Sequence, residues 1–187
     1  MVVIRQLYIT DPHFGHEQSI EYNNRPFNNV DEMDREMIYM WNDVCCRSDH
    51  IFIGGDVCYR NEKPAYWYVE QLKGHLHLII GNHDVDWIMK DERAMRRFVS
   101  VDKMKHISDN KRHICMCHFP LAEWNGYYRG HWHIFGHIHN RIDRSARFMA
   151  ESEKALNAGA DIIGYKPCTF DDLIRYNMEF KEKNNLI

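Results

Sequence analysis

The sequence predicts an α/β fold. Two observations carry that reading. Apolar, strand-like segments alternate along the chain with segments of helical character. Five of the apolar segments also end on Asp, Asn or His, usually beside glycine. In open α/β sheets ligands bind at the carboxyl ends of strands, so five such ends on one edge build a single site.

Taken in order, residues 2–9 form an apolar strand that runs into Thr10-Asp11-Pro12-His13. Asn29, with Glu32 three positions on, makes a capping-box-like start for a helix that runs to about residue 44. Residues 51–53 are a short buried strand ending at Gly54-Gly55-Asp56, and residues 64–72 read as a helix. A strand over 76–80 ends at Gly81-Asn82-His83-Asp84 and is followed by a helix around 87–98. Strands over 113–117 and 131–135 end at His118 and at Gly136-His137-Ile138-His139. Residues 155–160 form a late strand, and Thr169 caps a final helix. No repeat, low-complexity tract or Pro/Gly-rich linker interrupts the pattern. The 187 residues therefore read as one domain, 1–187.

Composition narrows the function classes. A hydrophobic fraction of 44% and a charged fraction of 27% are those of an ordinary globular protein. A net charge of −3 argues against a basic footprint for duplex nucleic acid but leaves nucleotides and short single strands open. The first ten residues carry only a short apolar stretch, broken by Arg5 and Gln6, and no run approaches the roughly 20 apolar residues of a membrane span. The expectation is a cytoplasmic protein without a membrane partner. Cys45, Cys46, Cys58, Cys115, Cys117 and Cys168 form no C-x-x-C pair, so buried free thiols are expected rather than disulfides or a structural zinc site. The unusual number is 13 histidines, and histidine is the commonest metal ligand.

The polar strand ends carry the chemistry. Asp11 and His13 stand at i and i+2 of an extended segment, where side chains point the same way and can grip one cation; the competing reading is a polar turn. Asp56 follows two glycines, which leave room for a close approach, so its carboxylate can bridge two cations; alone it reads as a cap or turn residue. In Gly81-Asn82-His83-Asp84, Asn82 offers an amide oxygen, His83 sits beside the ion, and Asp84 can hold the His83 imidazole in one orientation. A hairpin-type turn is the alternative there. His118 closes a strand, which is usually a structural place for a lone histidine. His137 and His139 repeat the i, i+2 geometry. His16 and Arg25 can reach a phosphate, although a surface salt bridge explains Arg25 equally well. Trp124, Tyr127, Tyr128 and Trp132 lie between His118 and His137, either as packing or as a wall for a stacked base.

The conjunction of D-x-H, G-D, G-N-H-D, a single His and G-H-x-H, in that order and each at a strand end, resembles the calcineurin-like metallophosphoesterases. The likeness runs from Asp11 to His139. It is strongest to small bacterial or phage-type members, through Asp11-Pro12-His13-Phe14-Gly15-His16, Arg25-Pro26-Phe27 and Trp41-Asn42. The chain departs from the protein Ser/Thr phosphatases at Gly55-Asp56-Val57-Cys58-Tyr59-Arg60. There Tyr59 replaces a second aspartate and the closing glycine is missing, which argues against a phosphoprotein substrate.

The resemblance implies a four-layer α/β/β/α sandwich of two mixed sheets flanked by helices. It implies two divalent ions, one held by Asp11, His13, Asp56 and His139, the other by Asp56, Asn82, His118 and His137. Asp56 and a hydroxide bridge them, and the hydroxide attacks phosphorus. His83, oriented by Asp84, is the implied catalytic group that stabilises the transition state or protonates the leaving oxygen. Imidazole and oxygen ligation without thiolate suits manganese, iron, nickel or zinc better than calcium, and manganese is the expected ion in activity assays. The expected substrate is a small phosphoester, with phosphodiesters, including nucleotides, favoured over monoesters. Two rivals stand beside this reading. One is a catalytically idle metal-binding scaffold, opposed by the presence of His83. The other is a nuclease acting on short single strands.

Overall fold

The computed structural model describes residues 4–60 and 62–186. Strands β1 (Gln6–Ile9), β2 (His50–Ile53), β3 (His75–Ile79) and β4 (Phe98–Asp102) form one four-stranded sheet in that order, all parallel. Strands β5 (Met104–Asp109), β6 (Arg112–Cys117), β7 (Trp132–Phe135) and β8 (Ala155–Asn157) form the second. There β5 runs antiparallel to β6, while β6, β7 and β8 are parallel. The helices are α1 (Gln18–Tyr22), α2 (Val30–Val44), α3 (Ala65–Val69), α4 (Glu92–Met95), α5 (Arg144–Ala150), α6 (Ala160–Ile163) and α7 (Phe170–Lys183).

Alternation along the strands builds the layers. In the second sheet Ile114, Met116, Ile134 and Leu156 join the main core, while their neighbours Cys115, Phe135 and Ala155 pack on the other face with Ala146 and Met149 of α5. In the first sheet Tyr8 and Phe52 stack at 5.7 Å, and the Tyr8 hydroxyl donates to Asp109 of β5 at 3.0 Å. That face therefore meets the second sheet. Leu7, Ile9, Ile51 and Ile53 point the other way and share a core with Met33, Met37 and Trp41 of α2 and with Tyr68 of α3. The layers are α/β/β/α. No helix among the described residues is long and apolar enough to cross a membrane.

Local signals explain the well-formed elements. Asn29 caps α2 by accepting the Glu32 amide at 2.9 Å, and Glu32 reaches back to the Asn28 amide at 2.8 Å. Thr169 caps α7 through the Asp172 amide.

The expected helix over 87–98 is a correction. Asp91 accepts from the amides of Arg93 and Ala94, so it starts a new short helix and cuts the segment there. A 3-10 turn, Ile88–Lys90, precedes it, and Phe98-Val99-Ser100-Val101 then pairs in parallel with β3 as β4. Strands β4 and β5 and helices α1, α5 and α6 were not anticipated. The β5–β6 hairpin turns on Asn110 and Lys111, both left-handed (φ 50° and 69°), the geometry of a two-residue primed turn without the usual Asn-Gly signature. The six cysteines are free; Cys46 is exposed, unlike the five buried thiols.

Candidate metal centre

Strands β1, β2, β3, β6, β7 and β8 all deliver their carboxyl ends to one edge. Asp11, His13, Asp56, His137 and His139 each sit just past a strand with left-handed backbone (φ 54°, 53°, 53°, 69° and 51°). For an L-residue that conformation costs on the order of 1 kcal/mol or more. Its concentration at these five positions means that the surrounding packing forces them, and that the strain serves a site. The crowding is specific. A side chain at Gly136 would collide with Asp11 and Thr10, and one at Gly55 with the backbone of Gly81.

Two donor sets converge. Asp11, His13 and His139 bring ligand atoms together within 4.8 Å, and so do Asp11, Asp56 and His118. A third convergence joins them, because Asn82 Oδ1 lies 2.9 Å from both His118 Nε2 and His137 Nδ1. Asp56 stands between the sets. Its Oδ2 is 3.6 Å from His13 Nε2 and 3.6 Å from His118 Nε2, while its Oδ1 accepts the His83 amide at 2.9 Å.

Hydrogen-bond accounting shows what the edge lacks. Asp11 Oδ2 accepts from the Thr10 hydroxyl (2.7 Å) and the His137 amide (2.9 Å). Asp11 Oδ1, both ring nitrogens of His13 and Nδ1 of His16 are buried without a partner among the described residues. A buried polar atom left unpaired costs roughly 1–3 kcal/mol, more for a charged one. The donors are imidazole nitrogens and carboxyl or amide oxygens with no thiolate, so a divalent transition metal fits them. Burial pushes Asp56 up to about 7 and His16 down to about 4, holds His13 well below the usual imidazole range and lowers His83. Neutral imidazoles are the form that ligates.

The remaining expected site residues fall as follows. His83 is half-buried on the wall of a cleft of about 460 Å³ that also holds His13, His16, Asp56, Asn82, His137 and His139. Its Nε2 lies 3.9 Å from Asp56 Oδ2, and its ring centroid is 3.9 Å from that of Tyr59. Asp84 is not turned to His83, as the sequence reading had it. Its two oxygens accept the amides of Asp56, Val57 and Gly81 at 2.7–3.0 Å, which staples the Asp56 loop to the Asn82 loop. Arg25 is buried, not at the surface: its guanidinium binds Asp161 and the carbonyls of Asp11 and Pro12.

Trp124 packs with Phe135 and Met149, and Trp132 against Phe170. The rings that line the cleft are Tyr22 and Tyr59. Sequence reasoning passed over Asp161, which holds His139 Nδ1 at 2.8 Å, and Arg141 on the cleft rim. Asn157-Ala158-Gly159-Ala160-Asp161 is a sixth polar strand end beside glycine, the same signal that marked the other five.

No protein-family model matches the chain. It is 32% identical over 176 residues to the uncharacterized protein MJ1445 of Methanocaldococcus jannaschii, covering 92% of this chain and 91% of that one. The chain belongs to the family of that archaeal protein. Among solved structures it is similar to the protein of unknown function AQ665 from Aquifex aeolicus, with TM-score 0.69 and 20% identity over 99% of this chain and 100% of that one, a likeness of fold. A weaker overlap, TM-score 0.45 at 20% identity, covers 72% of this chain and 61% of the Pseudomonas putida nuclease MPE.

Proposed function

We propose that this chain is a metal-dependent phosphoesterase that holds two divalent ions and acts on phosphodiesters in preference to monoesters. The observation that carries the reading is Asp56 Oδ2, equidistant at 3.6 Å from a histidine of each donor set, beside a buried Asp11 oxygen and a His13 ring that no protein group satisfies. Asp11, His13, Asp56 and His139 would hold one ion, and Asp56, Asn82, His118 and His137 the other. The motif resemblance to the calcineurin-like metallophosphoesterases supports the same division. Two such ions, when bound, activate water and neutralise charge on phosphoryl oxygens.

The chain's own groups do the rest. Asp84 holds the loops carrying Asp56 and Asn82 in mutual register through three amides. His83 Nε2 faces the donor set from the cleft wall, and in its imidazolium form it would deliver a proton to the leaving oxygen and become neutral, the help that a poor alkoxide leaving group of a diester needs. Tyr59 packs on the His83 ring and limits its swing. Arg60 and Arg141 line the cleft and place positive charge where the substrate's phosphate enters, and Tyr22 and Tyr59 offer ring faces to a nucleotide base.

The test is hydrolysis by purified protein treated with chelator and then reloaded with manganese, iron, nickel or zinc. Substrates are bis-p-nitrophenyl phosphate, p-nitrophenyl phosphate, cyclic nucleotides and dinucleotides. Metal-restored turnover that is higher on diesters is expected. Equal turnover with and without metal sinks the metal reading, and preference for the monoester sinks the diester assignment.

A further inference from the structure

One buried ion pair lies directly behind the candidate ligands. We infer that Asp161, paired with Arg25, is a positioning clamp for the whole Asp11–His13–His139 donor set and decides its metal affinity; the inference rests on the metal reading above. Asp161 begins α6, and its side chain is fully buried. Its Oδ2 lies 2.8 Å from His139 Nδ1, so that nitrogen carries the hydrogen and donates it. The lone pair of His139 is thereby placed on Nε2, the nitrogen left for the donor set. Carboxylates that accept from the far nitrogen of a ligating histidine fix its tautomer and orientation and raise its basicity. The neighbouring Asn157 amide donates to the His139 carbonyl at 2.9 Å, so both the backbone and the ring of His139 are held from the β8–α6 turn.

Arg25 extends the clamp to the other two donors. Its Nε donates to Asp161 Oδ1 at 2.8 Å and its Nη2 to Oδ2 at 3.3 Å. Nη1 and Nη2 also donate to the carbonyls of Pro12 and Asp11 at 2.8 and 3.0 Å. Those carbonyls belong to the left-handed turn that aims Asp11 and His13. One buried guanidinium thus ties the turn bearing two donors to the carboxylate that orients the third. The pair also leaves no net charge of its own beneath the site. The residues proposed for the second ion, Asp56, Asn82, His118 and His137, lack this support, although Asp11 lies within ligand distance of Asp56 and His118 as well. His118 Nδ1 is held instead by the Gly54 carbonyl at 2.7 Å, and no bond runs from Asp161 or Arg25 to Asn82, His118 or His137. The clamp therefore acts on one ion.

The experiment titrates manganese into chelator-stripped wild type, Asp161→Asn and the double variant Arg25→Gln/Asp161→Asn, by calorimetry with elemental analysis. The double variant removes both buried charges, so it still reports on the clamp if a lone buried Arg25 unfolds the single variant. Two ions in wild type are expected, with affinity for one of them lowered about 10–100-fold in both variants and the other unchanged. Metal-free thermal stability of the double variant separates positioning from misfolding. Equal affinity for both ions in all three proteins overturns the clamp and leaves the metal reading intact, whereas wild type that takes up no ion overturns the metal reading itself. A measurement on wild type alone stands behind the variants. The ¹⁵N chemical shifts of His139 in the metal-free protein, taken at alkaline pH where the ring is neutral, should show hydrogen on Nδ1; hydrogen on Nε2 alone overturns the clamp.

Discussion

Two groups of buried histidines in this protein differ in one respect that separates structure from function. His133 lies within β7, between Trp124 at 5.0 Å and Phe135 at 5.4 Å. Its Nδ1 donates to the Cys115 carbonyl at 2.9 Å, and its Nε2 accepts the Leu121 amide at 3.1 Å. His77 in β3 is equally complete, with Ser100 Oγ at 2.9 Å on one nitrogen and His50 at 2.8 Å on the other. His13 is just as buried but has neither nitrogen paired, and three other imidazoles, those of His16, His83 and His139, lie within 6 Å of its ring. A satisfied ring in a strand interior is finished. An unsatisfied one past a strand end is a candidate metal ligand. Thirteen histidines in the sequence do not distinguish His13 from His133, and the hydrogen-bond inventory does; His118, bonded through both nitrogens to Gly54 and Asn82, is set apart by its place past a strand end instead.

The largest expected effect tests the centre of the unsatisfied group. Asp56→Asn weakens one negative oxygen shared between the donor sets, so it should empty both ions and abolish turnover. Asn82→Ala should loosen only the ion shared with His118 and His137. Metal content by elemental analysis and kcat on a diester measure both. Equal, mild losses from the two substitutions would break the bridging assignment.

The next effect is confined to chemistry. His83 contributes no donor atom to either set and lies on the cleft wall, so His83→Ala should keep both ions and the fold. Turnover on diesters with poor leaving groups should fall by roughly 10²–10⁴-fold, the usual contribution of a general acid. The loss on a nitrophenolate ester should be smaller, because that leaving group needs less protonation. Loss of metal in this variant would make His83 a ligand; unchanged activity on every substrate would make it a turn residue.

How far the site was legible follows from sequence separation. Asp11 with His13, and His137 with His139, are two residues apart, so each pair was seen to fall at one strand end, although left-handed backbone at all four, rather than an extended segment, is what aims them. The strand ends that hold Asp56, Asn82 and His118 were visible because apolar runs stop abruptly at Gly and a polar residue. Roles that depend on distant partners were not visible. Arg25 looked free to meet substrate because its partner Asp161 lies 136 positions away. Asp84 looked like the orienter of its neighbour His83, yet two of the three amides that claim it lie 27 and 28 residues earlier. The aromatic run 124–132 was ambiguous for the same reason: Trp124 meets α5 and Trp132 meets α7. In the fold, strands with strong apolar runs were found, whereas β4 was missed and the segment before it was read as one helix, because a capping aspartate, Asp91, is also an ordinary helix-surface residue.

The smallest effect belongs to the satisfied group and sharpens the contrast from the other side. Burial pushes the His133 imidazole down to about 4, against its bonds to backbone, which pull the other way. In the unfolded chain the same group titrates near 6.5. Between those values the unfolded state binds the proton and the folded state does not, so protons favour unfolding. The stability contributed by the neutral ring is therefore complete above pH 6.5 and is lost as pH falls through 4. At about 1.4 kcal/mol per pH unit the total is on the order of 3 kcal/mol. His133→Gln keeps one donor and one acceptor but cannot titrate there. In chelator, urea unfolding at pH 7, 6, 5 and 4 should show wild type losing its advantage over this variant across that window. Added metal should not change that difference, because His133 pairs with Cys115 and Leu121 rather than with the donor sets. Parallel curves for the two proteins from pH 7 to 4 would show that His133 takes up its proton without breaking its bonds, and the division between finished and unsatisfied histidines would lose its best structural example.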